Sequence, residues 1–201
     1  LFDTIYHEHL AYHSVKPLVR FFASHGMELV ATERVSSHGG SLRGIAQLAN
    51  GTHVANGTVD TMIAQENQLG LHDADTLRQF GGKIDAIRDE LTAMLAALKQ
   101  AGKTVAGFGA PAKATTLMYH FGIGPDVIDF IVDDSPLKQG LYSPGMHIPV
   151  LPSAAIYSKK PDAVVILAWN FAEPIIRNHV RYLKQGGQFI VPLPTVEVVE
   201  Q

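Results

Sequence analysis

The 201-residue chain contains no cysteine. That excludes a disulfide scaffold, a thiolate nucleophile and any Cys-ligated zinc or iron–sulfur site within it, and it fits a cytoplasmic location. Charge is sparse, at 17% of residues, and close to balanced, with 16 Lys and Arg against 19 Asp and Glu for a net −3. A nucleic-acid partner, whose nonspecific binding rests on neutralised phosphates, is therefore not expected. No apolar run approaches the roughly 18 residues of a membrane span and no basic-then-apolar leader opens the sequence, so no membrane partner is expected either. Tryptophan occurs once, and there is no fixed-period repeat or low-complexity tract. What the chain does have is 46% hydrophobic residues, enough for the core of one ordinary domain or two small ones. It opens at Leu1 and runs straight into a polar cluster, as expected of a piece of a longer chain.

Punctuation and periodicity place the elements. Val15 to Gly26 reads as an amphipathic helix with Pro17 in its first turn and Gly26 at its end. Met27–Arg34 and Ser41–Leu48 read as strands on either side of a His38-Gly39-Gly40 turn. Helices are expected over Val59–Leu71 and Leu77–Ala101. In the longer one Ile84, Ile87, Leu91, Met94, Leu95 and Leu98 recur at helical spacing. The division between two α/β halves is expected near residue 80. Beyond it, Thr104–Phe108, Ile128–Val132, a short stretch at Val150, Ala163–Ala168 and Gln188–Val191 read as strands. Pro111–Phe121 and Glu173–Lys184 read as helices between them. Near-continuous apolar strands alternating with helices predict an α/β fold with a doubly wound, Rossmann-like parallel sheet.

Several polar sets could carry chemistry. Gly107-Phe108-Gly109-Ala110-Pro111-Ala112 fits the pattern G-x-G-x-x-G/A between a strand and a helix, where backbone N–H groups and the helix dipole can meet a phosphate. Lys113, Thr115 and Thr116 follow it, and Asp133 ends the next strand, further along than the roughly 20 residues of the dinucleotide fingerprint. The same glycines could simply permit a tight turn. Tyr6-His7-Glu8-His9, with Tyr12 and His13 nearby, suits proton transfer, because imidazole titrates near neutrality and a carboxylate can hold it. The His-x-His spacing suits an extended segment, and no further ligand set completes a metal site. A solvated polar loop is the plainer alternative. His38, Ser41 and Arg43 could line a pocket for a charged ligand, or form an ordinary turn. Asp133, Lys138 and Trp169 lie at the expected carboxyl edge of the sheet, where open α/β sheets bind ligands; the first two could equally belong to a capped surface loop, and Trp169 is either core or a wall of the cleft.

In this order, the stretches FDTIYHEHLAY (2–12), HGGSLR (38–43), GFGAPAKATT (107–116), VDDSPLKQGLYSPGMHIPV (132–150) and ILAWN (166–170) resemble the C-terminal portion of the S-adenosylmethionine-dependent sugar C-methyltransferases. The resemblance implies that residues 1–54 finish a methyltransferase domain and carry its catalytic loop. Residues 55–101 would form a helical linker and 102–201 a Rossmann-like domain that uses no dinucleotide. It further implies catalytic roles for Tyr6, Glu8 and His9, with His9 as the base. The substrate would be a nucleotide-diphosphate-linked 4-keto-6-deoxy sugar, its diphosphate contacted by Lys113 and the Gly107–Ala112 loop with Gly107, Gly109 and Ala110; the residues' own pattern adds His38, Ser41, Arg43, Asp133, Lys138 and Trp169 as candidate substrate contacts. S-adenosylmethionine would be held mainly by a methyltransferase domain outside this chain, leaving the chain inactive alone. The sequence departs from the family pattern in lacking the glycine-rich S-adenosylmethionine loop and a cysteine-rich zinc module. It also carries Ala114 where glycine is often expected, and a Gly44–Gln47 stretch less apolar than expected. An NAD(P)-dependent oxidoreductase built on the Gly107 turn, or a noncatalytic nucleotide-sugar-binding module, are the alternatives the residues leave open.

Overall fold

The computed structural model describes residues 2–37 and 40–201. By contacts they form two units, one of Leu10–Gly82 and one that joins 2–9 to 83–201.

The Leu10–Gly82 unit contains α1 (Val15–Ser24), β1 (Met27–Val35), β2 (Ser41–Leu48), α2 (Thr58–Gln68) and the start of α3 (Ala74–Gln100). β1 and β2 pair antiparallel, Met27 opposite Leu48 and Val35 opposite Ser41, and both α1 and α2 pack on β1. Few side chains are buried here; Val15, Val30, Thr32 and Glu66 are. The Glu66 carboxylate accepts the Val15 and Lys16 N–H groups at the start of α1 and lies 3.5 Å from His72 Nε2. A helix N-terminus leaves such donors unpaired and favours negative charge, so Glu66 caps α1 from a different helix. On β2, Ile45 is 54% and Leu48 71% exposed.

The second unit is built on β3 (Val105–Phe108), α4 (Ala112–Phe121), β4 (Phe130–Asp133), β5 (Val150–Pro152), α5 (Ala155–Lys159), β6 (Ala163–Ile166), α6 (Ala172–Asn178), α7 (Val180–Lys184), β7 (Gln188–Val191) and β8 (Glu197–Val199). The strands lie in the order β5-β4-β3-β6-β7-β8, parallel except for β8, which runs antiparallel to β7. Counted from β3 as first strand this is 3-2-1-4-5-6, the doubly wound Rossmann order, with its switch point between β3 and β6.

The strands read as continuous apolar runs because both faces are covered. Val105, Ile131 and Val165 pack on one face with Leu91, Leu95 and Leu98 of α3 and Leu117 and Phe121 of α4. Ala106, Val132, Val164 and Ile166 pack on the other with Ile156, Ile175, Tyr182 and Leu183. The helical spacing read from Ile84 to Leu98 is thus the stripe that α3 lays on the sheet.

Three local expectations are corrected. The helix expected over Glu173–Lys184 is two helices broken at His179, whose φ of −117° and ψ of 26° leave the helical region. The short elements α5 and β8 were not expected, and β8 rather than Gln188–Val191 closes the sheet. Among the described residues no helix is long and apolar enough to cross a membrane.

Candidate functional site

The Gly107–Ala112 turn stands at the carboxyl ends of the parallel strands, the position its pattern predicts. Its two glycines are required by space and conformation. A Cβ on Gly107 would lie 2.8 Å from Leu167 and 3.1 Å from Ile131, while Gly109 has φ +90° and closely approaches Ala168. Two of the turn's donors are already engaged: Gly109 N–H donates to Val132 O at 2.7 Å and Ala110 N–H to Asp133 Oδ2 at 2.7 Å. Asp133 also accepts the Ser135 N–H at 2.8 Å on Oδ1 and Lys138 Nζ at 3.1 Å on Oδ2. Burial pushes the Asp133 carboxyl up, but hydrogen bonds from Ala110, Ser135 and Lys138 outweigh it and hold its pKa below the usual range. The acidic residue that a dinucleotide's ribose would need therefore braces the turn instead.

Gly109, Asp133 and Lys138, with Phe108, Ile175 and His179, line a crevice of about 350 Å³ at the switch point. Sequence reading passed over His179, whose Nδ1 shares a 2.8 Å hydrogen bond with the Tyr157 hydroxyl. Burial lowers its pKa, opposed by the charge of Asp134.

The Tyr6–His9 set is a turn rather than the extended segment its spacing suggested. A 3-10 turn over Phe2–Thr4 precedes it, and His9 N–H closes onto Tyr6 O at 2.9 Å. His9 Nδ1 donates to Thr4 O at 2.8 Å, and the Tyr6 and His9 rings lie 4.4 Å apart between centroids. A carbonyl only accepts, so in the neutral ring the proton sits on Nδ1 and the basic lone pair on Nε2. Glu8 lies 3.9 Å from His7 Nε2, both side chains being well exposed.

The turn is fixed to the sheet unit by its first residues. Phe2 stacks on Phe121 at 5.2 Å, and Thr116 Oγ1 donates to Ile5 O at 2.8 Å. Burying Phe2 contributes on the order of 1.5–3 kcal/mol to that attachment. Tyr6 and His7, with Ala112, Thr116 and Tyr119, line a cleft of about 350 Å³ beside α4. Among the described residues no group of three His, Asp or Glu side chains is arranged to hold a metal ion.

Lys113 and Trp169, both expected to face substrate, are bound to Asp3, which sequence reading did not single out. Trp169 Nε1 donates to Asp3 Oδ2 at 2.6 Å, and Lys113 Nζ lies 3.6 Å from the same oxygen and 4.1 Å from the Trp169 ring centre. Burial lowers the Lys113 pKa, against the opposing charge of Asp3. A carboxylate set between Phe2 and Ile5 in an apolar stretch was the available sequence signal.

Of the HGGSLR turn, His38 lies outside the described residues. Ser41 Oγ donates to Ser37 O at 3.0 Å, and Ser41 lines a cleft of about 320 Å³ with Arg34 and Glu66. Arg43 is taken up by Glu33, opposite it on the hairpin, at 3.0 Å with both side chains exposed.

Residues 36–194 match the family model of the C-methyltransferase C-terminal domain. The chain is also similar to the C-methyltransferase NovU of Streptomyces niveus, 37% identical over 198 residues, which cover 98% of this chain and 47% of NovU. The chain thus spans about half the length of that relative. It belongs to the C-methyltransferase C-terminal domain family.

Proposed function

We propose that this chain supplies the proton-transfer side of an enzyme that methylates the carbon beside the ketone of a nucleotide-linked 4-keto-6-deoxy sugar. The methyl donor is S-adenosylmethionine, held by a methyltransferase domain outside the residues described. The Gly107–Ala112 turn does not fit that donor, because the Gly109 and Ala110 N–H groups are engaged by Val132 and Asp133. The chain's own contribution is proton chemistry.

The observation that carries this reading is the His9 geometry. Its Nδ1–H is held by the Thr4 carbonyl, so Nε2 is the basic nitrogen, and the Tyr6 ring lies beside it, tilted by 43°. A hydrogen on carbon next to a ketone is acidic once the enolate oxygen is stabilised. His9 Nε2 takes that proton, the C–H electron pair becomes the enolate double bond, and the Tyr6 hydroxyl donates to the oxygen as it gains charge. Glu8 tunes the turn's charge and helps carry the proton away. The crevice lined by Gly109, Asp133 and Lys138 receives the nucleotide diphosphate through the Lys138 ammonium, and not through the Gly109 and Ala110 N–H groups, which are already engaged. The exposed Ile45 and Leu48 on β2 support the further reading that the part of residues 1–54 from Leu10 onward completes a methyltransferase domain, residues 2–9 belonging with the sheet unit.

Steady-state kinetics of the full-length enzyme test this. His9→Asn should lower kcat by about 10²–10⁴ with KM nearly unchanged, the pattern of a base that acts in the transition state. Wild-type kcat in His9→Asn would reject the assignment.

A further inference from the structure

We infer that Asp3, Lys113 and Trp169 form a clamp that sets the position of the Tyr6–His9 turn, acting as positioning residues and not as substrate contacts. The inference rests on the reading of that turn as the reacting loop.

Three observations converge on it. Asp3 is 1% exposed, and its Oδ2 takes the Trp169 Nε1–H at 2.6 Å with Lys113 Nζ at 3.6 Å. Lys113 in turn sits over the Trp169 ring at 4.1 Å, so each member of the trio touches the other two. Asp3 directly precedes Thr4, whose carbonyl orients the His9 ring, and Ile5, whose carbonyl accepts from Thr116. A shift of Asp3 is thereby passed to the imidazole through one residue.

The chemistry of the trio argues for position over stability. Asp3 Oδ1 is buried with no hydrogen-bond partner among the described residues. Such a half-satisfied buried carboxylate is a costly way to fasten a loop, and apolar residues of similar volume often hold as well or better. What a charged, directional contact adds is one defined geometry. Lys113 shows the same cost, since burial lowers its pKa even beside Asp3.

The chain's single tryptophan makes the clamp observable without activity. In the 201-residue chain, Asp3→Leu should red-shift Trp169 emission and increase its quenching by acrylamide. It should also speed amide hydrogen exchange at His9 about tenfold or more while core amides stay protected, as local opening requires. The His9 ring ¹⁵N shifts should move from a fixed Nδ1–H tautomer to an averaged pair. Lys113→Met should produce the same changes, smaller. If Asp3→Leu does not fold, Asp3→Asn, which keeps the shape, and Trp169→Phe, which removes the Nε1–H donor, decide the matter on exchange and ring shifts. Unchanged exchange and ring shifts in folded variants would overturn the clamp and leave the proposed function standing. A loosened turn in a full-length enzyme that keeps its kcat would overturn the role given to His9 and leave the clamp standing.

Discussion

Trp169 Nε1 donates to Asp3 Oδ2 at 2.6 Å and so ties the start of the chain to the turn that follows β6. With Lys113 completing the trio, the single and double variants should be strongly non-additive. Lys113→Met leaves a carboxylate that is 1% exposed without its cation, a change that costs about 3–5 kcal/mol at the fully buried limit and less here because the Lys113 side chain is 15% exposed. The double variant Asp3→Leu with Lys113→Met removes both charges and should recover most of that loss. Urea unfolding of the four proteins measures it, and strict additivity would mean that the pair is not coupled.

Asp133 should give stability a defined acid dependence. Its folded-state pKa is held below the usual value by the Ala110 and Ser135 N–H groups and Lys138, against the burial that raises it. Below about pH 3.9 the unfolded chain holds this proton more readily than the folded one, so the contribution is present above that pH and disappears as pH falls through the folded value. Asp133→Ala should cost roughly 1–3 kcal/mol near neutrality. The difference from wild type should narrow as unfolding is measured at successively lower pH. A gap independent of pH would show that the carboxylate charge is not what braces the turn.

His179 should act in the opposite part of the pH scale. Its pKa is lowered by burial, so between that folded value and its ordinary value of about 6.5 the unfolded chain binds more protons. Stability therefore rises with pH through this window and is complete above it. His179→Gln should flatten the wild-type rise below about pH 6.5. An equal slope in both proteins would place the titrating group elsewhere.

Arg43 should matter little for stability. Its partner Glu33 is as exposed as it is, and surface pairs of this kind are worth about 0–1 kcal/mol. Arg43→Ala should therefore leave the urea midpoint nearly unchanged, and a loss well above 1 kcal/mol would mean that the hairpin depends on this pair.

The sheet was legible in the sequence because burial on both faces removes alternation, and Val105 to Phe108 and Ala163 to Ile166 have no polar residue to obscure it. The helical stripe from Ile84 to Leu98 was legible for the complementary reason, one face buried and one wet. β8 was not, since three residues with mostly exposed side chains carry no period. The Gly107 turn was placed correctly, but local pattern does not reveal that Asp133, from the next strand, and the Val132 carbonyl would occupy its N–H groups. The Tyr6–His9 turn was misread as extended because its shape depends on Phe2 and Asp3 packing against Phe121, Lys113 and Trp169, partners more than a hundred residues away. The same distance hid Asp3 itself. Family resemblance, rather than spacing, pointed to Tyr6, Glu8 and His9.

The central claim is that His9 removes the proton from the carbon to be methylated. Solvent deuterium exchange at that carbon of a nucleotide-linked 4-keto-6-deoxy sugar, followed by NMR with full-length enzyme and no methyl donor, tests it most directly. Wild type and His7→Ala should wash in label, and His9→Asn should not. Equal exchange in wild type and His9→Asn, or exchange lost at His7 and kept at His9, would contradict it.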